Sequence, residues 1–154
     1  MGIHIRMMND TDRDFIITIS NRFNEFDFMG WRDEVRMREA QNRIARESLE
    51  HQDSDSDMYI AEDETGERIG FLHLTKNIDY FTGEEQGYIS SIAVSKEGEG
   101  KGIAKKLMQK AEEWSQQKGY KQLVLHVFAN NERAIRFYQH LSFETEIVKM
   151  VKEI

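Results

Sequence analysis

The stretch from Val94 to Leu107, VSKEGEGKGIAKKL, carries the most legible chemistry in this chain. A run rich in β-branched residues, Ile89 to Val94, leads into a turn with Gly98, Gly100 and Gly102, and a helical repeat opens at Ile103. Glycine lets the backbone approach a ligand closely and adopt positive φ. A helix start leaves unpaired N–H groups at the positive end of its dipole. Together they make an anion site suited to a phosphate.

The rest of the composition limits what can use such a site. The chain has 154 residues, about one domain with room for a substantial core, and we read residues 1–154 as a single unit. It contains no cysteine, which excludes disulfides, thiolate catalysis and cysteine-bound metals. No apolar run approaches the ~20 residues of a membrane span, and the start MGIHIRMMNDTD lacks a secretory h-region, so a cytoplasmic protein is expected. A formal charge of −7 argues against nucleic acid and permits attraction of cationic small molecules or peptides.

Elements that position the turn follow from periodicity. Ile3, Ile5 and Met7 alternate as in a strand. Thr11 and Asp14 resemble a capping box, with Phe15, Ile16, Ile19 and Phe23 on one helical face. Residues 31–50 read as a second helix with Val35, Ala40, Ile44 and Leu49 as its sparse apolar side, and 51–57 as a polar loop. Strands are expected at 58–62, 68–75 and 86–94 as an antiparallel meander. A helix from Ile103 ends at Lys118-Gly119, a strand spans 121–128, a short helix 131–141 and a final extended stretch 143–154. The strand–helix–strand unit over 89–128 requires a parallel crossover. The fold class is α/β (α+β): a mixed, mostly antiparallel sheet with a central parallel strand pair and helices on both faces.

This order of elements, the glycine turn and the segment LHVFANNERAIRFYQHLSF together resemble the GCN5-related N-acetyltransferase family, whose members move an acetyl group from acetyl-CoA to an amine. The family's pyrophosphate pattern, Gln/Arg-x-x-Gly-x-Gly/Ala, maps onto Glu99, Gly100, Lys101, Gly102, Ile103 and Ala104. The resemblance implies that the amides of Ile103, Ala104 and Lys105 face the diphosphate. It also implies that the backbone of Ile92, Ala93 and Val94 pairs with the pantetheine arm. Glu99 departs from the pattern by placing negative charge near a negative ligand, unless it turns to solvent or pairs with Lys96, Lys101 or Arg133. Lys101, Lys105, Lys106, Arg133 and Arg136 are candidate charges for the phosphates. Asn131 matches the asparagine that opens the next helix and touches pantetheine; it also suits a plain N-cap.

Tyr138 matches the family tyrosine near the thioester sulfur, where a phenol can protonate the departing thiolate. An attacking amine must first lose a proton. The strand position where some family members carry a glutamate base is Tyr88, leaving Glu84, Glu85, His73 and His126 as candidates, with Glu85 taken forward beside Tyr138 as catalytic. Phe23, Phe26, Phe28, Met29 and Trp31 could wall an acceptor cleft or simply pack in the core. No metal is implied. The expected reaction is direct transfer from acetyl-CoA to a primary amine of a small molecule or peptide. A non-catalytic acyl-CoA-binding module and a nucleotide-binding protein are the alternatives. Ser142 to Ile154 has room for one strand where the family usually has a hairpin, so an open sheet edge and a homodimer are expected.

Overall fold

The computed structural model describes residues 2–25 and 27–154, with only the backbone of Asn24. Five strands form one sheet in the order β1 (His4–Met7), β2 (Asp57–Glu62), β3 (Arg68–Ile78), β4 (Glu85–Val94) and β5 (Leu123–Leu125). The first three junctions are antiparallel and β4–β5 is parallel. Helix α1 (Arg13–Ile19) and α2 (Glu34–Glu50) separate β1 from β2, α3 (Ile103–Gln117) makes the crossover from β4 to β5, and α4 (Glu132–His140) follows.

Apolar side chains pack on both faces of the sheet. On one, Leu72, Leu74 and Ile89 meet Ile103, Leu107, Ala111 and Trp114 of α3. On the other, Met58, Ile60, Phe71 and Ala93 meet Ile16 and Ile19 of α1 and Leu49 of α2. Gly70 and Gly87 let α3 lie close to the sheet. A Cβ at Gly70 would come within 3.0 Å of Ile103, and one at Gly87 within 2.3 Å of the Ser115 hydroxyl.

Buried Asp12 fastens the first layer. Arg6 binds it with two bonds of 2.8 Å, Arg68 adds one of 2.7 Å, and the Asn9 amide donates at 2.8 Å. The capping box here is Asn9 with Asp12, around a 3-10 turn over Asp10–Asp12, so α1 begins later than the Thr11/Asp14 reading placed it. Phe23 falls beyond α1, in a second 3-10 turn over Ser20–Asn24.

Four further expectations are corrected. In α2, Ala45 and Leu49 are buried while Val35 and Ile44 are 51% and 49% exposed, because the helix meets its neighbours along a narrower stripe than the apolar residues suggested. Strands β3 and β4 run on to Ile78 and from Glu85, shortening the loop between them. Strand β5 keeps only Leu123–Leu125 of the expected 121–128, since its ladder with β4 ends at Ile89↔Leu125. Residues 143–154 join no helix or ladder among the described residues, leaving Ile147, Val148 and Met150 exposed.

Candidate functional site

Strand β4 carries an irregularity just before the glycine turn. Ile89 pairs with Leu74 and Ser91 with His73, so Ser90 is an extra residue without a partner in β3, a β-bulge of the kind that frequents active sites. At the same level the β5 ladder stops, and β4 and β5 part beyond Ile89 and Leu125. From Ser90 to Val94, the β4 backbone edge facing β5 makes no ladder bond. Ile92, Ala93 and Val94 pair only with Leu72, Phe71 and Gly70 of β3. Their side chains belong to the core, so any ligand role falls to their main chain.

The turn after β4 is built for close approach. The Ser95 amide donates to the Ile69 carbonyl at 2.9 Å, and the Ser95 hydroxyl accepts from the Gly98 amide at 3.2 Å. A Cβ on Gly98 would come within 3.0 Å of Val94 and 3.1 Å of the Ile69 carbonyl, so a side chain there would have to push both aside. Gly100 and Gly102 hold φ of +77° and +74° with open space beside them. Gly102 is the N-cap of α3 and provides no side-chain cap, which leaves the first-turn amides of Ile103, Ala104 and Lys105 for an external acceptor. Ile103 itself is buried against the sheet and anchors the helix start.

Glu99 does not face this turn unopposed. Its carboxylate accepts a hydrogen bond from Arg22, in the 3-10 turn after α1, and that bond together with the charges of Arg22, Arg133 and Lys96 holds its pKa below the usual value. Of the partners weighed from the sequence, Arg133 and Lys96 act through space; Arg22 was not among them. Hydrogen bonds from Thr65 and from the Glu67 amide, with the charge of Lys101, hold Asp63 in the β2–β3 turn below its usual pKa. Lys105 is exposed on α3, and Arg133 on α4.

Asn131 is the N-cap of α4, its side-chain oxygen accepting from the Ala134 amide at 3.3 Å. Tyr138 lies on the inner side of α4 between Phe137 and Phe143, at ring distances of 5.5 and 5.8 Å. Burial raises its pKa, so the hydroxyl keeps its proton at neutral pH.

The remaining candidate bases separate. Glu85 sits at the start of β4, nine positions from Val94, or about 30 Å of strand. Lys76 holds its carboxylate at 3.5 Å while also binding Asp55 at 3.3 Å. Glu85 shares a strand face with Gly87 and Ile89, which look toward α3. His73 is 8% exposed, burial lowers its pKa, and its Nε2 has no partner among the described residues. Tyr88 and His126 occupy the opposite face from Ile89 and Leu125, with Tyr88 Oη 2.9 Å from His126 Nδ1.

The aromatic group between the first two helices divides. Phe23 packs in the α1–α2 core, Phe26 lies outside the described residues, and Met29 is exposed. Phe28 meets Phe128 edge-on at 5.3 Å, and the Arg32 guanidinium lies 4.3 Å from the Trp31 ring centroid and 5.3 Å from that of Phe128. Phe128 lies two residues beyond His126, so Phe28 and Arg32 reach the segment that carries His126. Neither Arg32 nor the Tyr88–His126 contact was foreseen. Alternation about Ile89 and Leu125 was the one signal in the sequence that could have paired residues 88 and 126.

Known proteins share this fold. Among relatives by sequence, the uncharacterized N-acetyltransferase YdgE of Bacillus subtilis is 33% identical over 89 residues, spanning 58% of this chain and 55% of that protein. The N-alpha-acetyltransferase 30 of Schizosaccharomyces pombe is 40% identical over 58 residues, 38% of this chain and 39% of that protein. The chain thus matches about half or less of each relative's length. By fold, a putative acetyl transferase from Pyrococcus furiosus superposes with a TM-score of 0.80 at 22% identity, covering 99% of this chain and 100% of that one. The aminoglycoside enzyme AAC(6')-Iy, solved with the bisubstrate analogue CoA-S-monomethyl-acetylneamine, superposes with a TM-score of 0.72 at 23% identity, covering 100% and 99%. The family model for the acetyltransferase (GNAT) family matches residues 17–143, and the chain belongs to that family.

Proposed function

We propose that this protein is an acetyl-CoA-dependent N-acetyltransferase that passes the acetyl group directly to a primary amine of a small molecule or peptide. The observation that supports this most is the fork between β4 and β5, with an uncapped helix N-terminus and two left-handed glycines at its open end. That cradle fits a diphosphate next to an arm that can pair with a free strand edge. In this reading Gly100, Gly102 and the amides of Ile103, Ala104 and Lys105 take the diphosphate. Lys101, Arg133 and Arg22-balanced Glu99 border it, and the main chain of Ile92, Ala93 and Val94, with Asn131, holds the pantetheine arm.

The amine nitrogen attacks the thioester carbonyl carbon, a backbone N–H near Ile92 polarises that carbonyl, and the C–S bond breaks as Tyr138 gives its proton to the departing thiolate. No acyl-enzyme is required, and the chain has no cysteine to carry one.

Calorimetry with acetyl-CoA, followed by thiol release over an amine panel, tests this reading. Binding and turnover are expected. Binding without turnover on any amine would make the chain an acyl-CoA-binding module, and ATP affinity that CoA fails to compete would make it a nucleotide protein. Gly102→Val should remove acetyl-CoA binding from a chain that still folds; retained affinity would refute the cradle.

We further propose a homodimer in the cytoplasm. Segment 143–154, which joins no ladder among the described residues and whose Met150 is 90% exposed, and the outer edge of β5 are what a second copy would satisfy. Light scattering should give twice the chain mass of 18.2 kDa, and removal of residues 145–154 should restore the single mass. A single mass for the intact chain throughout the micromolar range overturns the dimer, and fractionation of cells tests the compartment.

A further inference from the structure

We infer that His126, positioned by Tyr88, is the base that deprotonates the incoming amine. The inference rests on the acetyltransferase reading above. A primary alkylamine has a pKa near 10 and arrives at pH 7 almost wholly as ammonium, so the site must take a proton before the nitrogen can attack.

The two residues stand where that proton must leave. Tyr88 pairs with Val124, one step before the last rung of the β4–β5 ladder, and His126 is the first residue beyond it. They straddle the point where the strands part, and the open end of that fork leads to the glycine turn. Both side chains lie on the sheet face away from α3, the side covered by α1, α2 and their connection. Their rings meet at 5.4 Å and 70°, and Tyr88 Oη is 2.9 Å from Nδ1 of His126. Tyr88 is half-buried while His126 is exposed, so Tyr88 is the fixed partner and His126 the accessible one.

Other groups fail this position. Glu85 is held by Lys76 on the opposite face, Glu25 lies 3.5 Å from Arg22, and His73 is buried. Thr75, opposite Tyr88 on β3, carries no charge. Arg32 of the α1–α2 connection lies over the ring of Phe128, two residues beyond His126.

The proton balance follows from the hydrogen bond. To act as the base, His126 must donate its Nδ1–H to Tyr88 Oη, the tautomer that leaves the Nε2 lone pair for the ammonium. Nε2 takes one proton and the imidazole becomes imidazolium. The neutral amine then forms the C–N bond, the C–S bond breaks, and Tyr138 protonates the sulfur. The second nitrogen proton returns Tyr138 to its neutral form through site water, and His126 releases its proton to solvent. One ammonium and one thioester become one amide, one thiol and one proton.

Three measurements test the assignment. With an amine from the panel that the native protein acetylates, His126→Gln should lower kcat/KM at pH 7 by about 10²-fold or more, with acetyl-CoA affinity unchanged. The deficit should shrink about tenfold per pH unit toward pH 9 as free amine supplies itself, a recovery that loss of packing would not produce. Tyr88→Phe should lower kcat/KM less, about tenfold, and convert His126 to a mixture of tautomers in ¹⁵N NMR, where the native imidazole should carry its proton on Nδ1. A His126→Gln deficit that is absent or independent of pH overturns the inference even though the acetyltransferase reading stands. If no amine is turned over, the NMR measurement still decides, because a native Nε2–H tautomer refutes the base.

Discussion

Arg22, in the turn after α1, donates to the carboxylate of Glu99 in the glycine turn, 77 residues further along the chain. The contact joins the turn after α1 to the glycine turn and balances the Glu99 carboxylate. Arg22→Ala should therefore weaken acetyl-CoA binding about fivefold by exposing the diphosphate to an unbalanced carboxylate. The double variant Arg22→Ala with Glu99→Gln should regain the native affinity. Calorimetry at low and high salt checks both, and the single-variant loss should shrink as salt rises.

Tyr138 is surrounded by apolar rings that a phenylalanine would satisfy equally well. Tyr138→Phe should leave the melting temperature and acetyl-CoA affinity near native values and lower kcat by about 10²-fold. Steady-state kinetics beside calorimetry separates these outcomes; an unchanged kcat would remove the hydroxyl from the reaction.

Asp12 is fully buried between two guanidinium groups. Asp12→Asn should destabilise the fold by about 3 kcal/mol, because Arg68 loses its counterion and Arg6 is left with Glu62 alone, at 3.1 Å. Hydrogen bonding from Arg6, with that from the Asn9 amide and Arg68, holds the carboxyl well below its usual range. The unfolded chain therefore takes up this proton first as acid is added. The contribution should be complete above about pH 4 and drain away at lower pH, a slope that urea unfolding from pH 2 to 6 should show in the native chain and lose in Asp12→Asn.

Ser142 follows α4 with φ of +73°, a left-handed conformation that costs a residue with a Cβ. Its amide bonds the Gln139 carbonyl and the Phe143 amide bonds that of Tyr138, both at 3.0 Å, and Phe143 packs on the Tyr138 ring, which is a Schellman ending complete except for glycine. Ser142→Gly should stabilise the chain by about 0.5–1 kcal/mol, read as a higher melting temperature with kinetics unchanged.

How far the sequence foretold the molecule depended on the range of the interaction. Local signals carried well: the repeat Ile103, Leu107, Ala111, Trp114 ends where Gly119 turns left-handed, and Asn131 caps α4. What the sequence hid was long-range. Nothing near Glu99 announces Arg22, and nothing near Asp12 announces Arg68, 56 residues later. Length failed at β5 because its extent is limited by where β4 stops pairing, a property of the partner strand. Val35 and Ile44 were misread because apolar type marks a possible core face, and only the packing of α2 on its neighbours selects which positions are covered.

The unpartnered Ser90 has a bearing on how this site could arise or be lost. Ile89 and Ala93 are an even number of positions apart, yet Ile89 packs on the α3 side of the sheet and Ala93 on the α1–α2 side. One supernumerary residue has inverted the in–out alternation midway along the strand. Excision of that single codon would merge the two stretches into one regular ladder: Ile89 and Tyr88 would keep their faces and their β3 partners, and the local bend that the extra residue puts into β4 at the fork would be lost.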